Sequence, residues 1–269
     1  GAAVAEGSHQ MVGAIEFSGV KKSFRRPDGE IIHALNGVDL KIEQGDFVCL
    51  IGPSGCGKST MLQLLAGLDQ PTEGAVYLDG EKITRPNYDR GLVFQDPNLF
   101  PWLNIYDNIS FGLRARHIFK QKRDSVREFM DLVGLTGFEK SYPHQLSGGM
   151  CQRASLARAL IGHPKALLLD EPLGALDAFT RMNMQDELLR IKAEQNMTMV
   201  MVTHDVDEAV YLSNKIVVMS PRPAKIEEIL EVHLSQPRDR NNPEFIRLRS
   251  EILKVLDFAG REKDVEYTI

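Results

Sequence analysis

The sequence has little with which to cross-link itself. Its three cysteines are widely separated along 269 residues, at Cys49, Cys56 and Cys151. They are too few and too scattered for a disulfide framework or a zinc cluster. This cysteine usage favours a reducing compartment.

Targeting signals and long apolar runs are also lacking. Residues 1–10 have no basic stretch followed by an apolar one, so they do not predict a secretory signal. Because Gly7-Ser8-His9 is typical of a cloning remnant, we expect these residues to be vector-derived or disordered and the native chain to start at Met11. No apolar run approaches the roughly 20 residues that span a bilayer. We therefore expect that the chain does not cross a membrane by itself.

A strong charge of either sign is missing as well. Lysine and arginine (32) against aspartate and glutamate (37) leave a formal net charge of −5. Such a chain lacks the overall basic character of a nucleic-acid coat or a polybasic membrane binder. We expect no nucleic-acid partner.

The hydrophobic pattern predicts an α/β protein. Val38, Leu40 and Ile42 alternate with polar residues, which is typical of a strand with one wet face, whereas Phe47 to Ile51 is apolar on both faces and predicts a central strand. Further strands are predicted at 92–94, 166–170, 197–203 and 215–219, and helices within 105–160, from about 178 to 195, and from Pro243 to Leu256. Alternating strands and helices imply a mostly parallel sheet covered by helices. We also expect an antiparallel β layer near the N-terminus, a helical subdomain inserted at about 96–160, and a short C-terminal tail at 235–269.

A glycine-rich loop between the predicted central strand and the next helix is typical of a phosphate cradle. It fits the pattern G-x-x-x-x-G-K-[ST] with the residues Gly52, Pro53, Ser54, Gly55, Cys56, Gly57, Lys58, Ser59 and Thr60. Glycines allow successive backbone N–H groups to face one anion, and the following helix adds its positive end. We expect Lys58 to reach the β- and γ-phosphates and Ser59 to bind Mg²⁺.

Two adjacent acids end the apolar strand predicted at 166–170. Because neighbouring strand side chains point to opposite sides, Asp170 and Glu171 cannot play the same part. We expect Asp170 to hold Mg²⁺ and Glu171 to polarise the attacking water. Alone, such a pair is as often a plain surface feature.

Two polar residues end other predicted strands. Gln95 offers an amide oxygen for metal or water, and the apolar stretch that follows it to Trp102 predicts either a packed loop or a contact for a partner. His204 predicts either a polar strand cap or a catalytic group, since parallel strands place ligands at their carboxyl ends.

Ser147, Gly148 and Gly149 open another predicted helix. Ser147 is a good N-cap, and the glycines leave amides bare at the positive helix end. The segment predicts a second anion site, or simply a glycine-rich helix start.

Taken in this order, these elements resemble the nucleotide-binding subunit of ATP-binding cassette (ABC) transporters, over about Gly13 to Ser220. The matching parts are the Walker A loop at 52–60, the Q-loop at Gln95, the signature at 146–150, the Walker B acids at 170–171, the D-loop at 175–177 and the switch His204. Phe24 matches the aromatic residue that stacks on adenine, and Met150 departs from the commoner glutamine. The resemblance implies a P-loop NTPase core, with an ATPase domain over 11–234.

The resemblance implies a function as the ATP-hydrolysing motor of an importer. Ser147 and its glycines would contact the nucleotide of a second copy, so that a homodimer encloses two MgATP. Lys58, Glu171 and His204 would be catalytic, and Ser59, Gln95 and Asp170 would ligate the metal. Permease subunits would bind near Gln95 to Trp102, and an extracytoplasmic solute-binding protein would act indirectly.

Within the family, residues 174–181, the stretch Phe100-Pro101-Trp102 and the short tail resemble importer subunits for nitrate, sulfonate or taurine-type solutes. This resemblance implies that the chain lies at the cytoplasmic face of the cell membrane as a peripheral subunit. Two alternatives stay open from the sequence, a soluble P-loop kinase and a cytosolic ABC scaffold ATPase. The first would leave the segment at 146–150 without a task, and the second is typically accompanied by sustained heptads, which we do not find.

Overall fold

The computed structural model describes residues 12–53 and 57–266, with side chains up to Asp257. The expectation for residues 1–10 and the predicted phosphate contacts of Ser54, Gly55 and Cys56 lie outside the described residues. In chain order the elements are β1 (Ile15–Arg25), β2 (Ile31–Ile42), β3 (Phe47–Ile51), α1 (Lys58–Ala66), β4 (Glu73–Leu78), β5 (Glu81–Lys82), β6 (Arg90–Val93), α2 (Ile105–Ala115), α3 (Phe119–Leu132), a 3-10 turn (Pro143–Gln145), α4 (Gly148–Leu160), β7 (Ala166–Asp170), α5 (Ala178–Gln195), β8 (Thr198–Val202), α6 (Val206–Leu212), β9 (Lys215–Met219), β10 (Ile226–Glu231) and α7 (Pro243–Glu266).

Two sheets form the framework. A four-stranded antiparallel sheet has the order β2-β1-β4-β5, and a six-stranded sheet has the order β10-β9-β3-β8-β7-β6. In the larger sheet β3 pairs in parallel with β8 and β9, and β7 with β6 and β8, while β10 is antiparallel to β9. The predicted α/β class, with its antiparallel layer and mostly parallel sheet, is confirmed.

The larger sheet divides the core into two apolar clusters. Alternate strand residues face opposite sides, so that Val48, Leu50 and Leu168 pack on the side of α1 and the antiparallel sheet. Their neighbours Cys49 and Leu169 pack on the side of the remaining helices. This parity decides on which side each strand-end side chain emerges.

The predicted central strand and the helix at 178–195 are found where the pattern placed them. The helix predicted after the glycine-rich loop ends at Ala66, because Gly67 follows it in the left-handed conformation with φ 77°. The strand predicted at 92–94 runs from Arg90 to Val93 instead.

The C-terminal segment packs on the same core as the rest. Phe245, Leu248 and Ile252 of α7 are buried in the cluster that faces the larger sheet. The predicted helix from Pro243 to Leu256 continues to Glu266. Among the helices of the described part of the chain, none has the length and apolarity needed to cross a membrane.

Candidate nucleotide-binding site

The predicted phosphate loop leaves β3 at Gly52 and enters α1 at Lys58. Gly57, just before the helix, has φ 108°, and a Cβ on it would lie 2.9 Å from Leu35 Cδ2. Both the backbone conformation and the space therefore require glycine. Buried Lys58 donates a hydrogen bond of 2.7 Å from Nζ to the carbonyl oxygen of Gly52. The positively charged ammonium group of Lys58 therefore lies next to the loop, where it can bind a phosphate anion.

A hydroxyl and a carboxylate meet beside this loop. Asp170 ends β7 on the α1 side of the sheet, and the Ser59 hydroxyl in the first turn of α1 donates a hydrogen bond of 3.1 Å to Asp170 Oδ1. Burial raises the pKa of the Asp170 carboxyl, and the charge of Glu171 adds to the rise, whereas the Ser59 hydrogen bond lowers it.

This pair of oxygen atoms suits Mg²⁺. Mg²⁺ prefers hard oxygen ligands at about 2.1 Å in octahedral geometry, so two adjacent ligands lie about 3 Å apart. The Ser59–Asp170 separation of 3.1 Å matches that spacing. The donors present therefore fit the metal that the sequence predicts.

Glu171 leaves the strand in a different direction from Asp170. Its φ of 45° is left-handed, and its backbone N–H donates to the carbonyl of Val202 at 2.9 Å. This turns the carboxylate toward His204, which follows β8, and Glu171 Oε1 lies 3.2 Å from His204 Nδ1. The carboxylate is partly exposed (29%) and the imidazole more so (66%). Glu171 follows β7 and His204 follows β8, so both lie at the edge of the larger sheet where its parallel strands end, which we call the rim. A carboxylate and an imidazole in contact at this open rim form a candidate pair for activating water.

Gln95 also reaches this rim. It lies two residues beyond β6, and its side chain approaches Gly174, where an added Cβ would lie 3.2 Å from Gln95 Nε2. The N–H of Gly174 in turn donates to the carbonyl oxygen of Glu171 at 3.3 Å. The amide of Gln95 and the backbone that holds Glu171 are therefore neighbours.

The segment after Gln95 is held by two side chains of α4 that the sequence did not single out. Gln152 Nε2 donates to the carbonyl of Phe94 at 3.0 Å, and Arg158 donates to the carbonyls of Pro97 and Asn98 at 2.8 and 2.9 Å. Gln152 is almost fully buried (3% exposed). A helical pattern predicts that such residues face inward but not which carbonyl they bind, so no sequence signal identified them.

The helix start predicted as a second anion site has an open face. Ser147 caps α4 by accepting a hydrogen bond from the N–H of Met150 at 3.2 Å, and Ser147 and Gly148 are exposed. A Cβ on Gly149 would lie 3.1 Å from Thr180 Cγ2 in the first turn of α5. Asp177 caps α5, and the hydrogen bonds from Thr180 lower the pKa of its carboxyl.

Arg181 fixes the turn between β7 and α5. It donates to the carbonyls of Leu173 and Leu176 at 3.2 and 3.1 Å, and its guanidinium lies 3.6 Å from the carboxylate of Asp205. This links the segment after Glu171 to the residue that follows His204. Sequence reasoning gave Arg181 no role in the site.

Phe24 stands apart from these contacts. It lies near the end of β1, is 37% exposed, and carries the ammonium of Lys22 at 5.0 Å from its ring centroid. Its assignment to adenine remains a prediction, as do the roles of Pro53 and Thr60.

The structure thus brings the predicted residues together in two groups. One is the rim formed by Gly52, Lys58, Ser59, Gln95, Asp170, Glu171 and His204. The other is the helix start at Ser147, and among the described residues no hydrogen bond or ion pair joins it to that rim.

A phosphate loop after a central parallel strand, with a strand-end aspartate bonded to the loop serine, defines a P-loop nucleoside triphosphatase. Comparison with known proteins narrows this class. A protein-family model described as ABC transporter matches residues 35–174. The aliphatic sulfonates import ATP-binding protein SsuB of a Bacillus cereus strain is 47% identical over 246 residues, which cover 91% of this chain and 97% of that protein.

Two further similarities concern a longer relative and a solved structure. The bicarbonate transport ATP-binding protein CmpC of Synechococcus elongatus is 50% identical over 252 residues, covering 91% of this chain but 38% of that protein. A dimeric ATP-binding cassette solved in a post-hydrolysis state, bound to ADP and Pi, superimposes with a TM-score of 0.72 at 33% identity, over 82% of this chain and 100% of that one.

The chain belongs to the ABC transporter family. It is an ATP-binding subunit of that family with the fold of an ATPase cassette, as the motifs predict. These similarities to ABC proteins give no support to the alternative that the chain is a P-loop kinase.

Proposed function

We propose that the chain is the ATP-hydrolysing subunit of an ABC importer and works as a homodimer around two MgATP. The observation that carries the proposal is that the predicted nucleotide-binding groups lie on two separate surfaces of the chain. Groups for phosphate, metal and water share one rim, whereas the exposed helix start at Ser147 has no described bond to it. A second copy would supply that helix start to the open side of the nucleotide, giving two equivalent sites about a twofold axis.

We assign the roles of the site residues from the family resemblance, supported at the rim by the geometry. The loop at 52–60 and Lys58 bind the phosphates, while Ser59 and Asp170 would hold Mg²⁺, with Gln95 as a further oxygen ligand. Mg²⁺ would neutralise charge on the phosphates. Glu171 accepts a proton from the attacking water, and His204 orients that carboxylate from 3.2 Å. Phe24 would stack on adenine.

The dimer is tested by substituting Ser147 with arginine. Ser147→Arg fills the helix start with a bulky cation, so we expect ATP binding to the monomer to persist and turnover to fall to background. Gln121→Arg adds the same cation to an exposed position of α3 and serves as the matched control. Nucleotide binding by titration and phosphate release at several protein concentrations are the measurements. Turnover that survives in Ser147→Arg would contradict the proposed dimer.

An exposed aromatic patch supports a permease contact near Gln95. Phe100 lies between Trp102 and Phe111, with ring centroids 5.3 and 4.8 Å apart, and Trp102 is 70% and Phe111 44% exposed. Contiguous exposed apolar side chains mark interaction surfaces. We assign this patch to integral membrane permease subunits, which would hold the chain at the cytoplasmic face of the membrane as a peripheral subunit. The extracytoplasmic solute-binding protein would act through the permease.

We propose sulfonate, nitrate or taurine-type solutes for the importer. The similarity to SsuB proteins and to CmpC supports small anions as the transported solutes. The test replaces the SsuB protein of Bacillus subtilis, 43% identical over 254 residues, with this chain and measures uptake of labelled sulfonate. Uptake restored by the chain but not by its Lys58→Ala variant is expected. Failure of the expressed chain to restore uptake would count against the sulfonate assignment.

A further inference from the structure

Three arginines of the C-terminal segment converge on α6, the short helix that follows His204. Arg238 donates to the carbonyls of Val210 and Ser213 at 2.6 and 2.5 Å, at the C-terminal end of α6. Arg240 stacks on the ring of Tyr211 at 4.0 Å, and Arg249 lies 2.9 Å from the carboxylate of Asp207 in the first turn. The end, the side and the start of the helix are therefore each in contact with the tail.

These contacts differ in strength. The Arg249–Asp207 pair has both side chains 48% exposed, and exposed ion pairs contribute little. Arg238 is partly buried, and burial lowers the pKa of its guanidinium. A cation bonded to the last carbonyls of a helix satisfies groups that the helix leaves unpaired and interacts with its negative end. Of the three arginine contacts, we therefore expect that of Arg238 to stabilise α6 most.

The helix needs such support because it is short. Helices well below 12 residues are marginal on their own, and α6 has seven. Its N-terminal end is fixed by Asp205, which accepts from the N–H of Glu208 at 3.2 Å. His204 is the residue before this cap, so the position of α6 sets where the imidazole lies.

A second route leads from the tail to the residues around His204. Arg240 donates to Gln185 Oε1 at 2.7 Å, and Gln185 Nε2 donates to Glu208 Oε2 at 2.9 Å. Gln185 and Glu208 are almost fully buried, at 3% and 4% exposed. The Glu208 carboxylate also accepts from the side chain of Thr203, the residue before His204.

We infer, on the basis of the role proposed for His204, that Arg238 and Arg240 are positioning residues which hold α6 so that His204 stays within reach of Glu171. The C-terminal segment is thereby part of the hydrolytic apparatus although it touches none of the reacting groups.

The experiment compares Arg238→Met and Arg240→Met with Arg247→Met. Arg247 lies on α7 and contacts Glu244 and Glu251 of its own helix, which makes it a matched control. We expect kcat to fall about three- to tenfold in the first two variants, since small displacements of a catalytic group cost rate steeply. The KM for ATP and the ATP-driven dimerisation should stay within twofold of the unmodified chain, and Arg247→Met should change neither.

The histidine itself provides the decisive signal. With ¹³C-labelled histidine, the His204 ring resonance is identified among the seven histidines by its absence in His204→Gln. Arg238→Met and Arg240→Met should shift this resonance in folded protein, and their loss of kcat should disappear in the His204→Gln background. An unmoved resonance, or an equal loss of kcat in both backgrounds, would overturn the inference.

If the proposed function is wrong, these experiments give a different result from the one expected if only the inference is wrong. If His204→Gln leaves turnover unchanged, the role of His204 is wrong and the inference falls with it. If no ATP-driven dimer forms in the unmodified chain, the dimer proposal fails, while the resonance shift still decides whether the tail positions the histidine.

Discussion

Substitution of Glu171 by glutamine separates nucleotide binding from hydrolysis. The backbone at Glu171 is fixed by a left-handed φ of 45° and by the hydrogen bond to Val202. Glutamine keeps the shape of the side chain and retains an oxygen within reach of His204. It removes only the carboxylate that accepts a proton from water. We therefore expect folding and ATP affinity to be preserved.

The size of the effect follows from the role. A positioned general base contributes about 10²- to 10⁴-fold to a rate, which corresponds to about 3–5 kcal/mol of activation free energy. Turnover of Glu171→Gln should fall within that range. Because ATP then persists in the site, the dimer should accumulate.

Phosphate release and size-exclusion chromatography at saturating MgATP measure the two outcomes. Glu187→Gln is the control, since Glu187 lies on α5 and pairs with Arg190. Turnover of Glu171→Gln within tenfold of the unmodified chain would refute the assignment of the base. A monomer at saturating ATP, together with phosphate appearing on an added metabolite, would favour a kinase.

Two further predictions concern the surroundings of this rim. Gly174→Ala places a Cβ 3.2 Å from Gln95 Nε2, so the amide must shift by a few tenths of an ångström, and we expect a several-fold loss of turnover in steady-state assays with unchanged thermal unfolding. Burial raises the pKa of Glu208 above its ordinary 4.5, so its contribution to stability is largest below that pH and is lost as the pH rises through the folded-state value. Urea unfolding should therefore show the unmodified chain losing stability relative to Glu208→Gln as the pH rises above 4.5, and a constant difference would contradict the assigned cause.

Local pattern predicts the elements that are long or regular. β3 is found as predicted because an unbroken apolar run gives a clear strand signal. α5 is found as predicted because 18 residues without glycine or proline separate two predicted strands. β1 escapes prediction because its pairing with β2 shifts register between Phe17 and Val20, and a bulge breaks the period of two. α6 is too short for its period to be seen. Its position depends on contacts with Arg238 and Arg240, which lie more than 25 residues away in sequence.

The sequence predicts which residues form the candidate site but not the contacts that hold them in place. Lys58 and Ser59 could be identified because their motif has a fixed spacing next to a strand, and Asp170 because it ends an apolar strand downstream of that motif. Gln152, Arg158 and Arg181 could not, since each acts by binding a main-chain carbonyl that no side-chain pattern encodes. The resemblance to the ABC family supplied Gln95 and His204, whose types alone leave a structural reading open.

The different directions of the Asp170 and Glu171 side chains show why both the sequence pattern and the three-dimensional structure are needed. Strand alternation predicts that Asp170 and Glu171 diverge, and Asp170 obeys it by emerging on the α1 side, where the Ser59 hydroxyl lies at 3.1 Å. Glu171 diverges for another reason, since the strand has ended and a left-handed residue turns its carboxylate toward His204. If alternation alone placed it, Glu171 would face the helices that cover the opposite side of the sheet. One backbone angle, outside the reach of sequence periodicity, therefore turns an acid that would face the covering helices into a base that faces the open rim.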